Sequence, residues 1–172
     1  LLEQLGRLHS VAESMEAVEA ALAAGFTNLN LDLMFGLPGQ QLKQLDADLE
    51  TITSLGATHL SLYNLTVEAG TPFGAQQRRG TLKLPGADLQ RAMWERALDA
   101  TEAAGYRRYE VSNFARTGAE CVHNKLYWSR SSWLGVGSGA HGHSAATPDA
   151  PFGRRWWNIR SPRSYIASLG AG

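Results

Sequence analysis

One pattern occurs twice in this chain and restricts what it can fold into. Gly25-Phe26-Thr27-Asn28-Leu29-Asn30-Leu31 and Gly56-Ala57-Thr58-His59-Leu60-Ser61-Leu62 both read Gly-x-Thr-x-Leu-x-Leu. Each follows an amphipathic helical stretch. Before the first copy, Ser10 and Glu13 have capping-box spacing, and Met15, Val18, Ala21 and Leu22 share one side until Gly25. Before the second, Leu42, Leu45, Leu49, Ile52 and Leu55 do the same until Gly56. Successive helix–strand units of similar length predict parallel strands with right-handed helical crossovers.

The strand expected over 28–34 alternates. Leu29, Leu31 and Leu33 fall on one face, Asn28, Asn30 and Asp32 on the other. A strand covered by helices on both faces reads as a nearly continuous apolar run. A face bearing amides and a carboxylate lines a cavity instead. Superposing the repeats sets Asn30 beside Ser61 and Asp32 beside Tyr63. Both polar faces then look inward, as in part of a (β/α) barrel. Asp32 falls near the C-terminal end of its strand, where such architectures bind ligands. The loop Gly36-Leu37-Pro38-Gly39-Gln40 follows, and its glycines permit positive φ and close backbone approach to a ligand. Asp32 is thus a candidate acceptor for ribose hydroxyls or an ammonium group; the plainer alternative is a carboxylate capping a neighbouring loop.

The third unit departs from the period. Residues 66–87 are rich in Gly and Pro and read as a loop. Asp88 is the expected N-cap of a helix over 89–104, stopped by Gly105, and 106–112 is the expected third strand. Its end, Glu110, Ser112 and Asn113, is either a substrate mouth or a solvated terminus. A short strand over 133–136 would enter Gly135-Val136-Gly137-Ser138-Gly139-Ala140-His141. That run lacks the dinucleotide spacing and no helix follows, so a Rossmann reading is rejected; backbone approach to a ligand, with Ala140 or His141 at the rim, stays open. The last thirty residues hold Pro148, Pro151, Pro162 and Trp156-Trp157, and irregular structure with a short helix near Tyr165 is expected. The fold class is α/β: barrel units with parallel strands over 1–115, then a loop-rich extension over 116–172 packing on the barrel.

Sixteen basic and sixteen acidic residues cancel, so no global field favours nucleic acid or an anionic membrane. A local basic patch remains around Arg154-Arg155, Arg160 and Arg163. No apolar run is long enough to cross a bilayer and no secretory signal is visible. Cys121 is the single cysteine, which excludes an internal disulfide and a cysteine-only metal site within the chain and makes a reducing, cytoplasmic setting the expectation. The chain begins at Leu1, mid-pattern, as a piece of a longer protein would. No Ser/His/Asp order stands out, so nucleophilic hydrolysis has no support. Arg7, just before the first helix, either clamps a carboxylate with its two-pronged donor geometry or is a solvated loop arginine. Cys121-Val122-His123-Asn124-Lys125-Leu126-Tyr127-Trp128 packs a thiol, an imidazole and two aromatics closely. Imidazole and thiolate are axial ligands of haem iron, and aromatics suit a flat macrocycle; the alternative is a structural histidine.

Six ordered blocks carry a resemblance. They are Leu5-Gly6-Arg7-x-His9-Ser10; Gly25-Phe26-x-Asn28-x-Asn30-Leu31-Asp32-Leu33-x-Phe35-Gly36-Leu37-Pro38-Gly39-Gln40; Leu60-Ser61-Leu62-Tyr63-x-Leu65-Thr66-Val67-Glu68-x-Gly70-Thr71-Pro72; Gly105-Tyr106-x-x-Tyr109-Glu110-Val111-Ser112-Asn113-Phe114-Ala115; Cys121-x-His123-Asn124-x-x-Tyr127-Trp128; and Gly135-x-Gly137-x-Gly139-Ala140-His141. In this order they resemble the coproporphyrinogen III oxidase-like branch of the radical S-adenosylmethionine proteins, and within it the HemW-like haem chaperones.

The resemblance implies a partial (β/α)₆ barrel in which a [4Fe-4S] cluster on a Cys-x₃-Cys-x₂-Cys loop binds S-adenosylmethionine for radical chemistry that belongs to the cofactor. Arg7 and Asp32 match S-adenosylmethionine-binding positions. Thr66 matches a position that contacts the cofactor largely through backbone, and His141 lies at another such position. Met34 and Tyr63 would be walls of that pocket. The His-Asn-x-x-Tyr motif implicated in haem binding maps to His123, Asn124 and Tyr127, with His123 as the axial ligand of haem iron. Haem or porphyrin and haem-receiving apo-proteins are the implied partners, with the oligomeric state, dimer included, left open. The alternative within the branch is an oxygen-independent coproporphyrinogen III oxidase; a blander one is a degenerate piece without cofactor. The chain departs from the family pattern in lacking the cluster cysteines, expected upstream of Leu1, so alone it should neither hold the cluster nor make the radical. Ala69 stands where a proline is common and Lys125 where a neutral residue is usual.

Overall fold

The computed structural model describes residues 2–170, which divide into two compact units, one ending at Glu120 and the next beginning at Cys121. No helix among them is long and apolar enough to cross a membrane.

The first unit opens with a 3₁₀ turn, Glu3–Leu5, and α1, Val11–Ala23. Both halves of the capping box form: the Ser10 hydroxyl accepts from the Glu13 N–H and the Glu13 carboxylate accepts from the Ser10 N–H. Strand β1, Asn30–Phe35, leads to α2, Leu42–Ser54, and then to β2, His59–Asn64. β1 and β2 are parallel, as the repeat predicts. Leu60, Leu62 and Phe35 are fully buried on the apolar face of the sheet, with Leu29, Leu31 and Leu33 packed around them. The inner sides of α2 (Leu45, Leu49, Ile52) and α4, Ala87–Ala103 (Met93, Ala97), cover that face. The opposite face is the polar one.

The register corrects the superposition. Asn30 pairs with His59, Asp32 with Ser61 and Met34 with Tyr63, two residues away from the repeat equivalence. Repeat alignment follows chain position, whereas pairing follows the stagger between neighbouring strands. An even displacement preserves parity, so both polar faces still lie on one side.

The third strand is not parallel. Residues 106–112 do not extend beside β2; the chain folds back as β3, Arg107–Arg108, and β4, Asn113–Ala115. β4 runs antiparallel to β2, and the sheet order is β1-β2-β4-β3. Glu110 makes the reversal: its carboxylate accepts from the Ser112 N–H and from Nδ2 of Asn113, while its carbonyl accepts from Nε of Arg108. Such local side-chain bonds favour a turn over an extended ladder.

Two smaller differences have local causes. The stretch read as a loop over 66–87 contains α3, Pro72–Arg78, started by the Thr71 hydroxyl accepting from the Gly74 N–H and by Pro72 in the first turn. α4 has Gly86 rather than Asp88 at its N-cap; Asp88 lies in the first turn, where its charge complements the helix dipole.

The second unit holds α5, Val122–Trp128; a hairpin of β5, His141–Ser144, and β6, Arg154–Trp157; and α6, Pro162–Leu169. The strand expected over 133–136 is a single bridge, Trp133 with His143, two bonds of 2.9 Å. The hairpin in a region read as irregular depends on Gly142. A Cβ there would lie 2.3 Å from the Trp156 indole, which takes up that space.

At the end of β1, Gly36 has φ +73°, and a Cβ would meet Oδ1 of Asn64 at 2.2 Å. Asn64 cannot yield freely, because its Nδ2 donates to Gln90. Gly36→Ala should therefore lower the stability of the full-length protein by roughly 1–3 kcal/mol in a urea titration. Part of that loss should return in the double variant with Asn64→Ala.

Candidate functional site

The polar face is a connected hydrogen-bond network. A carboxylate only accepts, so Nδ2 of Asn30, 2.7 Å from Oδ1 of Asp32, must be the donor. Oδ1 of Asn30 then points the other way, 2.5 Å from Nδ1 of His59 and 3.0 Å from Oγ of Ser61. An amide oxygen cannot donate, so His59 carries its proton on Nδ1, and its Nε2 accepts from the Tyr109 hydroxyl at 2.7 Å. On the far side Glu110 plays the part of Asp32. It orients Asn113, whose Oδ1 lies 2.7 Å from Oγ of Ser61. One serine proton is shared between two amide oxygens, each turned toward it by a carboxylate.

Burial pushes the His59 imidazole below its ordinary 6.5, against the opposing pull of the Asp32 and Glu110 carboxylates. The folded state therefore releases a proton that the unfolded chain keeps near that pH. The stability His59 contributes is complete above 6.5 and is lost as pH falls from there through the folded-state value.

Asp32 is exposed and borders a cavity of about 500 Å³. Arg7, Met34, Leu33 and Ile52 line it too, as does Asp48, whose carboxyl burial pushes upward. Oδ2 of Asp32 has no hydrogen-bond partner among the described residues, which leaves it for a ligand. Of the residues read from the sequence, the structure thus gathers Arg7, Asp32 and Met34 around one cavity. Tyr63 is the pairing partner of Met34 on the same sheet face. Thr66 lines an adjoining hollow of about 410 Å³, and Leu5 borders both. The loop after β1 is closed by Gln40, which is fully buried: its N–H donates to the Leu37 carbonyl and its Oε1 accepts from the Leu37 N–H. Its Nε2 has no partner at hydrogen-bonding geometry among the described residues, although Gln40 lies close enough to Asp48 to favour its carboxylate.

His141, the remaining residue matched to that cofactor, belongs to the second unit, on β5 opposite Trp157. Of the glycines before it, Gly135 approaches the chain's own backbone: a Cβ there would meet the His141 carbonyl at 2.2 Å. His123, Asn124 and Tyr127 all sit on α5. His123 and Tyr127, one turn apart, are exposed, with Nε2 of the histidine 3.2 Å from the phenol oxygen. Tyr127 continues to Trp133 at 4.3 Å between ring centres, and Trp133 stacks on His143 at 4.5 Å. His143 is held by Nδ1–H donating to the Ser131 carbonyl at 3.0 Å. Reading the sequence alone missed two pairs, His59 with Tyr109 in the first unit and Trp133 with His143 in the second, each brought together only by folding.

Among the described residues no group of three or more His, Cys, Asp or Glu side chains is placed to hold a metal ion. With Cys121 as the one cysteine, these residues do not fit a [4Fe-4S] cluster, whose ligands are thiolates.

The α/β fold is one shared with a radical S-adenosylmethionine enzyme of known structure. It matches coproporphyrinogen III oxidase (HemN) from Escherichia coli, described as such an enzyme, with a TM-score of 0.74 over 98% of this chain and 40% of that one, at 19% identity. In sequence the chain is 44% identical over 147 residues to heme chaperone HemW of Bacillus subtilis, covering 86% of this chain and 39% of the relative. It is 39% identical to heme chaperone HemW of Mycobacterium tuberculosis over 98% of its own length and 42% of the relative's. Radical S-adenosyl methionine domain-containing protein 1, mitochondrial, of Mus musculus is 41% identical over 82% of this chain and 32% of the relative. The chain is a homologue of HemW, and it spans about two fifths of the length of the HemW relatives it matches. No family model matches it.

The titration of His59 has a measurable consequence. The melting temperature of the full-length protein should fall as pH drops from 7.5 to 5.5, and His59→Gln should flatten that slope. An unchanged slope in the variant would remove His59 as its source.

Proposed function

We propose that this chain is the part of a HemW-like protein that contributes one wall of the S-adenosylmethionine site and the histidine helix of a haem site, and that the whole protein delivers haem to apo-proteins. The observation that carries the reading is the exposed His123–Tyr127 pair at the end of an aromatic array, within a radical S-adenosylmethionine fold. An exposed imidazole is the group an iron ligand needs, and flat aromatics beside it suit a macrocycle.

The residues of the first cavity fit S-adenosylmethionine by chemistry and by size. Its volume lies within the usual range of small-molecule sites. Arg7 would take the methionyl carboxylate, Asp32 the ribose hydroxyls through its unengaged oxygen, and Met34 and Tyr63 would supply apolar surface. The Asn30–His59–Ser61 network holds the Asp32 carboxylate in one orientation. When bound, this cofactor supplies one-electron chemistry with a cluster whose cysteines we place elsewhere in the full-length protein. Thr66 is proposed as a further contact, and the setting as cytoplasmic.

The second reading is an oxygen-independent coproporphyrinogen III oxidase, favoured by the fold match to HemN. The higher identity to HemW relatives, and the His-Asn-x-x-Tyr helix, favour the chaperone. Anaerobic turnover of coproporphyrinogen by the full-length protein would reverse that order.

Two variants test the assignments. Asp32→Ala in the full-length protein should weaken S-adenosylmethionine binding, measured by calorimetry, by about 1.5–3 kcal/mol for each charge-assisted hydrogen bond lost. Unchanged affinity would discard the role. His123→Ala should lose haem through gel filtration where the parent keeps it; equal retention removes His123 from the haem site.

A further inference from the structure

The formal neutrality of the chain conceals a division. From Cys121 onward, Lys125, Arg130, Arg154, Arg155, Arg160 and Arg163 stand against Asp149 alone, a net charge of +5. The residues before Cys121 hold ten basic against fifteen acidic side chains, a net charge of −5. The second unit is therefore the one suited to an anionic ligand.

One of those cations lies on the aromatic array. In the β5–β6 register Arg155 faces His143, and its guanidinium carbon is 5.9 Å from the centre of the Trp133 ring. The Trp133 ring is fixed by its backbone bridge to His143 and by the near-parallel stack of the two rings, 23° apart. Gly153 presses on the same histidine: a Cβ there would lie 2.7 Å from Nε2 of His143. Arg155 is exposed and belongs to neither of the ion pairs Arg91–Glu95 and Arg96–Asp46. The array also contains a buried indole N–H, Nε1 of Trp133, with no acceptor among the described residues. An orphaned buried donor is costly, and a ligand oxygen would relieve it.

Haem has three chemical parts: an iron that takes an imidazole, a flat apolar ring, and carboxylates on one edge. His123 supplies the first and Tyr127 with Trp133 the second. We propose that Arg155 supplies the third, as the anchor for a propionate of haem. The inference rests on the haem reading of His123 and extends that site across the hairpin. A guanidinium suits this role because it is weakly hydrated, binds carboxylate in a two-pronged fashion and packs on an aromatic face. Trp133 holds it ready.

The test compares haem with haem dimethyl ester, in which both carboxylates are blocked. Each is titrated into the full-length protein and its Arg155→Gln, Arg155→Lys and His123→Ala variants in the same detergent, followed by the Soret band. Arg155→Gln should weaken haem binding about tenfold to a hundredfold and leave ester binding within about twofold of the parent. Arg155→Lys should fall between, and the parent should prefer haem to its ester. Haem binding by Arg155→Gln equal to the parent's overturns the inference. So does a parallel loss of haem and ester, which would make Arg155 a support of the fold. His123→Ala should weaken both ligands and move the Soret maximum. Failure of that arm alone removes the iron ligand, and the acid-versus-ester comparison still decides the role of Arg155. A parent protein that binds neither ligand overturns both readings.

Discussion

Ser61 has one proton and two amide oxygens compete for it, and the polar side of the sheet is organised around that competition. Asp32 turns Asn30 and Glu110 turns Asn113, so both carboxamides present oxygen to the same hydroxyl. Neither amide can flip without setting an N–H against a hydroxyl it does not need and a carbonyl against a carboxylate. His59 is drawn into the same logic and kept neutral in one tautomer by burial. A network in which each amide is oriented by a carboxylate specifies one arrangement. It also explains why the sheet accepts only one parity. A one-residue slip of β1 would bring Asn30 and Asp32 under α2 and α4, where Leu31 and Leu33 now pack, and expose the leucines.

Elements whose signal is periodic were legible in the sequence. α1, α2, β1 and β2 each advertise themselves by side-chain spacing, the two helices also by a stop glycine, and the parity of β1 and β2 follows directly. What failed to show was structure made by contacts rather than by period. The β3–β4 reversal comes from one carboxylate bonding two positions ahead, and nothing in the pattern of Tyr109-Glu110-Val111-Ser112 separates that from a strand. The β5–β6 hairpin comes from an indole lying over a glycine. α3 did have a signal, Thr71 followed by Pro72, inside a stretch whose other glycines and prolines read as loop.

The site divides in the same way. Strand parity marked Asp32, a local property, whereas Arg7 and Met34 were marked by the family resemblance; the three border one cavity. His59 and Tyr109 are fifty residues apart and meet only once β3 has folded back, so no local pattern joins them. The charge division was hidden by a different cause. Summing over the whole chain cancels two opposite surpluses, and only a boundary at Cys121, which the fold supplies, separates them.

The two units are held together internally by different means. The first has a sheet face packed under two helices, with Leu45, Leu49, Leu60, Leu62 and Met93 almost wholly removed from water. In the second, α5 and α6 bury no residue, and the side chain enclosed at its centre is His143 rather than a hydrophobe. Its internal order therefore relies on ring contacts running from His123 through Tyr127 and Trp133 to His143, each worth about 0.5–1.5 kcal/mol where aromatic pairs are concerned. Those rings are also the ones assigned to the ligand. If the proposed haem site is right, one surface both ties a helix to a hairpin and receives a flat molecule, and a ligand seated on the rings would bind the ordered hairpin better than a loosened one and stabilise it by that difference in affinity. The same coupling runs in reverse. On the proposed reading, a change that loosened the hairpin would release the ligand without touching its iron.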